Sequence, residues 1–147
     1  FLNNPLVKRS NALLMRESKL AQRTAAHIAA RPRLRKAAIR WTTKHPERLS
    51  GAICVELIRG GGCPGGASAT ASLAAHDFRS KMPDIECPTL IVWGENDLVV
   101  APVCAERYAE RIPDSRLVVF EDTGHLPMIE RPGRFLAELE SFLDASS

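Results

Sequence analysis

The sequence contains no apolar run that approaches the roughly 18 residues a membrane-spanning helix needs. Aromatic residues make up only 5% of the chain, which provides few side chains for stacking on nucleic-acid bases. Residues 1–5 are not a basic stretch followed by an apolar core, so we expect no secretory signal. These absences favour a cytoplasmic protein that has neither a membrane nor a nucleic acid as partner.

A paired cysteine pattern is also missing. The four cysteines, at positions 54, 63, 87 and 104, form no C-x-x-C motif and have no histidine at metal-ligand spacing. We therefore expect no metal site and interpret the cysteines as reduced thiols, with disulfides as the open alternative. Cys87 and Cys104 fall on predicted core-facing elements, where a free cysteine serves as a small buried hydrophobe.

Positive charge is concentrated in the first part of the chain, although the net charge is only +3. Residues 1–59 hold 13 Lys and Arg against three acids, whereas residues 60–147 hold 7 against 14. Such a split indicates two segments of different role. A basic segment is one feature of nucleic-acid binding, but here the charges alternate with an apolar stripe, which favours the solvated face of helices.

Apolar residues recur at helical spacing through the first half of the chain. Amphipathic helices are predicted from two stripes, Leu34, Ala37, Ala38, Trp41 and Leu49, Ala52, Ile53, Leu57. A further helix is predicted to end near Arg31, because Pro32 disfavours the helical conformation of the residue before it. After a glycine-rich break at 60–66, residues 67–78 again show a helical pattern.

The pattern changes after Pro83. Residues 89–93 and 116–120 are short apolar, β-branched runs, typical of strands buried on both faces. Helical spacing is found between the strands and again after the second strand, in Ala105, Tyr108, Ala109, Ile112 and in Phe135, Leu136, Leu139, Phe142, Leu143. Residues 83–147 are therefore predicted to form a parallel βαβα unit, and the fold class is α/β.

Two parallel strands cannot pair their outer edges or cover both of their faces alone. The chain also begins at Phe1 rather than at a methionine. We therefore expect an excerpt of a longer protein, in which upstream strands complete the sheet.

Polar residues follow both predicted strands at the point where each strand ends. Asp97 comes shortly after the first strand, and His125 shortly after the second. In parallel sheets, ligands bind at the carboxyl ends of the strands, so these two side chains are expected to lie close together. A carboxylate that holds one imidazole nitrogen orients the ring and leaves the other nitrogen free to deprotonate a nucleophile.

The residues around this pair resemble those of a known superfamily. Residues 87–97, CPTLIVWGEND, with Pro102 following, resemble the acid-bearing strand of α/β-hydrolases. Residues 124–132, GHLPMIERP, resemble the histidine loop of that superfamily, G-H-x-x-x-x-E-x-P. The order Asp97 then His125 also matches its Ser…Asp…His order.

The resemblance implies a partial α/β-hydrolase fold, with a helical cap over residues 1–82 and core elements over 83–147. It implies that Asp97 and His125 are the acid and base of a catalytic triad, in an enzyme that acts on a small ester-like substrate without a cofactor. Simpler roles remain open for both, because an aspartate often closes a turn or caps a helix and a histidine often lies in a surface loop. Glu130 is interpreted as a structural tie to the helix after Pro132, and Asp122 as a turn former.

The nucleophile of the superfamily is missing from this chain. No G-x-S-x-G elbow occurs, and residues 66–70, GASAT, lack its last glycine. Residues 61–65, GGCPG, fit a cysteine elbow, but Pro64 has no N–H to donate to an oxyanion hole, so Cys63 is rejected. The isolated chain is expected to be inactive, and its partner is expected to be the N-terminal half of the fold.

Three functions remain open at this point. The first is an esterase with a serine nucleophile on the missing half. The second is a parent enzyme of the epoxide hydrolase or dehalogenase type, with an aspartate nucleophile. The third is a truncated or degenerate module, without enzymatic activity, that acts through protein contacts.

Overall fold

A computed structural model of the chain describes residues 23–60 and 66–145. The chain divides into two compact units, which we call the helical unit and the strand unit. The helical unit consists of Phe1–Ile39 with Leu49–Asp77, and the strand unit of Arg40–Arg48 with Phe78–Ser147. The assignment of residues 1–82 to a cap stays a prediction.

The helical unit contains the helices that apolar periodicity predicts. The described part comprises α1 (residues 23–29), α2 (Pro32–Ile39), α3 (Gly51–Gly60) and α4 (Gly66–Ala75). Residue 31 lies in a bend between α1 and α2, as the proline at position 32 predicts. Any part of the first predicted helix before residue 23, and residues 61–65 of the glycine-rich break, lie outside the described residues.

The buried faces of these helices differ from the predicted stripes. In α2 the buried residue is Ile39, whereas Leu34 and Trp41 are 43% and 46% exposed. Because α2 ends at Ile39, Trp41 lies in the turn that follows and no longer shares the helical register. In α3 the buried residues are Cys54 and Ile58, which lie four residues apart. Periodicity therefore located the helices, but of the two predicted stripes only Leu49 is among the buried residues.

The strand unit carries the predicted βαβα order with one addition. Its elements are a 3-10 turn at Pro46–Arg48, another at Met82–Asp84, β1 (Thr89–Gly94), α5 (Val103–Ala109), β2 (Ser115–Phe120), α6 (Pro127–Glu130) and α7 (Pro132–Ala145). The strands are parallel, with a register that runs from Thr89 opposite Ser115 to Gly94 opposite Phe120. The sequence pattern did not predict the short helix α6.

The core of the strand unit lies between the sheet and α5. Four buried residues form it, Met82, Ile91, Ala105 and Ile112. Trp93 packs against this cluster and against Tyr108, with ring centroids 5.9 Å apart. The indole N–H of Trp93 donates to the Val100 carbonyl at 3.3 Å, so the ring is anchored at its polar edge.

The other side of the sheet is less covered than the apolar strand sequences predict. Val119 in β2 is 40% exposed, and no residue of α7 is buried. Leu136 and Leu143, predicted to lie on the packed face of the last helix, are 53% and 54% exposed. Cys87, predicted to face the core, is also exposed, and Cys104 is half-buried. The helices of the described chain thus cover only part of the sheet, as expected of two parallel strands alone.

No helix among residues 23–60 and 66–145 is long and apolar enough to cross a membrane.

Candidate active site

The carboxyl ends of β1 and β2 continue into two turns that are bonded to each other. The N–H of Glu95 donates to the carbonyl of Phe120 at 2.9 Å, and the N–H of Asn96 donates to the carbonyl of Thr123 at 2.9 Å. Thr123 is fully buried, and its hydroxyl donates to the carbonyl of Glu121 at 2.8 Å. The parallel register therefore extends beyond the strands and places residues 95–97 beside residues 121–125.

This close approach depends on Gly94. A Cβ atom at that position would lie 1.9 Å from the carbonyl oxygen of Gly124 and 2.5 Å from that of Thr123. Any larger residue would therefore push the two turns apart. The glycine that ends β1 is what lets the histidine loop pack directly against the strand end.

Asp97 and His125 form a direct hydrogen bond, as their positions at neighbouring strand ends predict. The distance from Nδ1 of His125 to Oδ2 of Asp97 is 2.8 Å. Asp97 is buried, and its second oxygen, Oδ1, accepts the N–H groups of Val99 at 2.7 Å and Val100 at 2.9 Å. The carboxylate thus closes a turn and holds the imidazole at the same time, so the structural and the catalytic interpretations of Asp97 are compatible.

The His125 ring lies between the interior and the surface. Its side chain is 34% exposed, while that of its carboxylate partner is 3% exposed. Because Nδ1 is held by Asp97, Nε2 on the far side of the ring is the nitrogen that can exchange a proton with a reactant. This arrangement can perform general base and general acid chemistry. The catalytic roles of the two residues stay predictions.

Glu130 holds the histidine loop, but not to the helix after Pro132 as predicted. Its Oε1 accepts the N–H of Gly124 at 2.8 Å, and its Oε2 accepts the N–H groups of Lys44 at 2.8 Å and His45 at 3.4 Å. One carboxylate therefore joins two chain segments that lie far apart in the sequence. A carboxylate forms strong, charge-assisted hydrogen bonds with backbone N–H groups, and the folded chain brings those of residues 44, 45 and 124 within reach of Glu130.

Residues 42–45 pack directly against the histidine loop. The N–H of His125 donates to the carbonyl of Thr42 at 3.0 Å. A Cβ atom at Gly124 would lie 2.8 Å from the backbone nitrogen of Lys44 and 3.0 Å from the Cα of Thr43. The second glycine of the site thus allows this segment to lie against the residue before His125.

A second histidine beside the loop was missed by sequence reasoning. Nε2 of His45 lies 2.7 Å from Oδ1 of Asp122, and Nδ1 lies 2.9 Å from Oε1 of Glu47. The hydrogen bonds with Asp122 and then Glu47 raise the pKa of His45, and the bond with His45 lowers the pKa of Asp122. No motif marks His45, since its partner Asp122 lies 77 residues away.

Asp122 is a turn former, as predicted. Its φ of 51° lies in the left-handed region, which aspartate tolerates better than most residues. Its carboxylate also accepts from Arg131 at 3.1 Å. Asp122 is therefore bonded to His45 and Arg131, whereas His125 is bonded to the carboxylate of Asp97.

The alternative nucleophile candidates lie elsewhere in the sequence. Cys63 lies outside the described residues, and Ser68 lies in the first turn of α4 in the helical unit. Within residues 23–60 and 66–145, no group of three or more His, Cys, Asp or Glu side chains is placed to hold a metal ion.

Comparison with protein families identifies the fold. A profile of the alpha/beta hydrolase fold family matches residues 41–132, which is more than half of the chain and includes both strands, Asp97 and His125. The chain belongs to this family.

Curated relatives match part of the chain. One is a pimeloyl-[acyl-carrier protein] methyl ester esterase of Nitrosospira multiformis, 32% identical over 46% of this chain and 26% of its own length. Another is lipase 3 of Moraxella sp., 37% identical over 39% of this chain and 18% of its own length. A proline iminopeptidase of Heyndrickxia coagulans is 29% identical over 71% of this chain and 35% of its own length. The matched part is therefore about a third of these relatives or less.

Solved structures agree on the architecture. A thermophilic esterase from Thermogutta terrifontis superimposes with a TM-score of 0.63 and 26% identity, over 89% of this chain and 51% of that one. The alpha/beta hydrolase MGS-M2, from a deep-sea metagenome library, gives a TM-score of 0.62 over 96% of this chain and 52% of that one; at 19% identity it bears on the fold alone. Hydrolases of esters are thus among the proteins that this chain resembles.

Proposed function

We propose that this chain supplies the acid, Asp97, and the base, His125, of an ester hydrolase that works through a Ser-Asp-His triad. The observation that carries the proposal is the 2.8 Å hydrogen bond between the two side chains, formed at the carboxyl ends of parallel strands. The chain contains no G-x-S-x-G elbow, so the serine is assigned to another part of the enzyme, N-terminal to this segment in the family order.

In this mechanism the proton moves through Nε2 of His125. The ring accepts the proton of the serine hydroxyl as the oxygen attacks the ester carbonyl, and then returns it to the departing alcohol. Asp97 stays ionised throughout and stabilises the imidazolium that forms. Its two backbone hydrogen bonds, from Val99 and Val100, hold the carboxylate in place before the reaction starts. A water molecule then releases the acyl group by the same proton transfers.

The relatives support an ester as the substrate class. The printed names of two curated relatives are a methyl ester esterase and a lipase, and the Thermogutta neighbour is an esterase. The competing proposal is an epoxide hydrolase or dehalogenase, in which an aspartate attacks and His125 activates water afterwards. The residue at the centre of the elbow in the natural-length protein distinguishes the two.

The test is ester hydrolysis by the gene product at its natural length, measured with p-nitrophenyl esters. We expect His125→Ala and Asp97→Asn to lower kcat by roughly a thousandfold or more, because the residual rate then depends on the oxyanion hole and substrate binding. The matched control is His27→Ala, since the His27 ring contacts Arg31 in the helical unit. We expect the 147-residue chain alone to show no turnover.

Two results would contradict the proposal. If His125→Ala kept half of the wild-type rate, His125 would not be the base. If the natural-length protein folded and hydrolysed no ester, epoxide or haloalkane, the interpretation as a module that acts through protein contacts would replace it.

A further inference from the structure

The loop that carries His125 is attached to residues 42–45 at two points. At one end the N–H of His125 donates to the carbonyl of Thr42 at 3.0 Å. At the other end the ring of His45 bonds the carboxylate of Asp122 at 2.7 Å. The two attachments lie three residues apart on each segment, so together they fix both the position and the direction of the loop.

The ring of His45 bonds a carboxylate oxygen at each of its two nitrogens. Nδ1 faces Glu47 at 2.9 Å, and Nε2 faces Asp122. Only the imidazolium can donate from both nitrogens, whereas a neutral ring turns one lone pair toward a carboxylate oxygen. The observed geometry therefore belongs to the charged form of His45.

The remaining charged groups around His45 act mainly on its partner. Oδ2 of Asp122 contacts Arg131 at 3.1 Å and Arg48 at 3.5 Å. The N–H of Asp122 donates to Glu95 at 3.2 Å, and the N–H of His45 donates to Glu130 at 3.4 Å. Arg131 and Glu95 keep Asp122 in its loop when His45 loses its proton, and Glu130 still accepts the N–H of Lys44 at 2.8 Å. Residues 42–45, which hold the N–H of His125, therefore loosen at the His45 end and stay attached through Glu130.

The direction of the pH dependence follows from the two pKa shifts. Hydrogen bonds with Asp122 and Glu47 raise the pKa of His45 above its ordinary 6.5. The stability that the protonated ring contributes is therefore complete below pH 6.5 and is lost as the pH rises through the raised pKa. The bond with His45 lowers the pKa of Asp122 below its ordinary 3.8. The stability that the ionised carboxylate contributes is therefore lost as the pH falls through the lowered pKa. The contact is therefore strongest in the mildly acidic to neutral range.

We propose that His45 is a positioning residue for His125, and that with Asp122 it forms a clasp which opens as the pH becomes alkaline. When the clasp opens, one of the two attachments between residues 42–45 and the loop is lost, the hydrogen bond from the N–H of His125 to the carbonyl of Thr42 is weakened, and the imidazole is less well aligned with the nucleophile. The structural part of this inference stands on the contacts alone. Its kinetic consequence, an alkaline decline of kcat, rests on the proposed function.

Hydrogen–deuterium exchange of the natural-length protein, followed by mass spectrometry from about pH 5.5 to about pH 9.5, tests the clasp. In His45→Gln, a peptide over residues 121–126 is expected to exchange roughly two- to fivefold faster than wild type in the acidic range, as the loss of a partly exposed ion pair implies. The difference is expected to vanish at alkaline pH, where the wild-type clasp is open.

Two further variants sharpen the test. Asp122→Asn is expected to behave like His45→Gln, because asparagine accepts the left-handed φ of 51° while the carboxylate charge is removed. His27→Gln, the control, is expected to match wild type at every pH. Equal exchange in His45→Gln and wild type would overturn the proposal, and so would an increase that is the same at all pH values, since His45 would then act without titrating.

The kinetic measurement separates this proposal from the proposed function. His45→Gln is expected to remove the alkaline decline of kcat and to leave KM unchanged. An alkaline decline that persists in this variant would overturn the kinetic role of the clasp. Full activity in His125→Ala would refute the proposed function instead, while the exchange data would still decide whether the clasp exists.

Discussion

Two glycines determine how closely the active-site loops approach each other. A Cβ atom at Gly94 would meet only backbone among its nearest atoms, and one at Gly124 would meet the backbone of residues 43 and 44 and a carboxylate oxygen of Glu130. Backbone cannot move aside without breaking the hydrogen bonds that hold the turns, such as that from Asn96 to Thr123. At the scale of single residues, the site therefore depends on these two glycines, which have no Cβ atom, as much as on Asp97 and His125.

Gly94→Ala is expected to destabilise the strand unit and to disturb the site. The new methyl group would lie 1.9 Å from the carbonyl oxygen of Gly124, and overpacking of this kind costs about 1–3 kcal/mol or more. The matched control is Gly133→Ala in α7, where a Cβ atom meets nothing within 4 Å. Urea unfolding of both variants measures the difference. Equal stability of Gly94→Ala and wild type would show that the two turns can separate without cost.

At the scale of elements, the parallel strands β1 and β2 bring the acid and the base together. Glu130 holds the loop that carries the base. Glu130 ends α6, the short helix that follows His125. Its two oxygens bond the N–H groups of Gly124 and Lys44, each at 2.8 Å. The carboxylate thus connects the loop, α6 and residues 42–45 into one support for the imidazole.

Glu130→Gln is expected to destabilise the loop while keeping its shape. The amide retains one oxygen as acceptor, but its NH₂ group must face a backbone N–H, and a lost bond to a charged group costs about 1.5–3 kcal/mol. Glu140→Gln, at an exposed position of α7, is the control. Thermal melting and kcat of the natural-length protein are the measurements. If Glu130→Gln had the Tm and the kcat of wild type, the hydrogen bonds of the Glu130 carboxylate would contribute nothing to stability or to activity.

At the scale of the whole molecule, the described chain leaves apolar surface open. Several large side chains of the strand unit are exposed, including Leu98, Val119, Leu136 and Leu143. Within residues 23–60 and 66–145 the sheet has two strands, so each strand has one neighbour and one open edge. Open parallel edges and apolar faces favour association with other chains.

The 147-residue chain in isolation is therefore expected to self-associate. Sedimentation velocity at increasing concentration should show species larger than the 16.1 kDa monomer. The double substitution Leu136→Lys with Leu143→Lys should reduce association, because both positions are more than half exposed and charge there opposes apolar contact. A monodisperse monomer with a sharp, reversible melting transition would show that the chain closes its own core.

The sequence by itself determined both strands and the central pair. The β-branched runs ended within one residue of the ends of β1 and β2, and the positions of Asp97 and His125 after parallel strands predicted their contact. Both inferences use local patterns, since a strand, its turn and its terminal side chain are adjacent in the chain. The incomplete burial of the strands was also expected, because two parallel strands cannot cover both of their faces alone.

Only the tertiary structure decided what surrounds the pair. Glu130 reaches Lys44 across 86 residues, and His45 reaches Asp122 across 77. Glu130 belongs to the histidine-loop motif and His45 to none, but neither position reveals its distant partner in the sequence. Those partners depend on where the folded backbone leaves N–H groups and carboxylates unpaired. The buried face of α2 was also decided by the tertiary structure, because Ile39 is buried and Leu34 is exposed in the folded chain. Local pattern thus predicts where chemistry can occur, and long-range packing decides what holds it there.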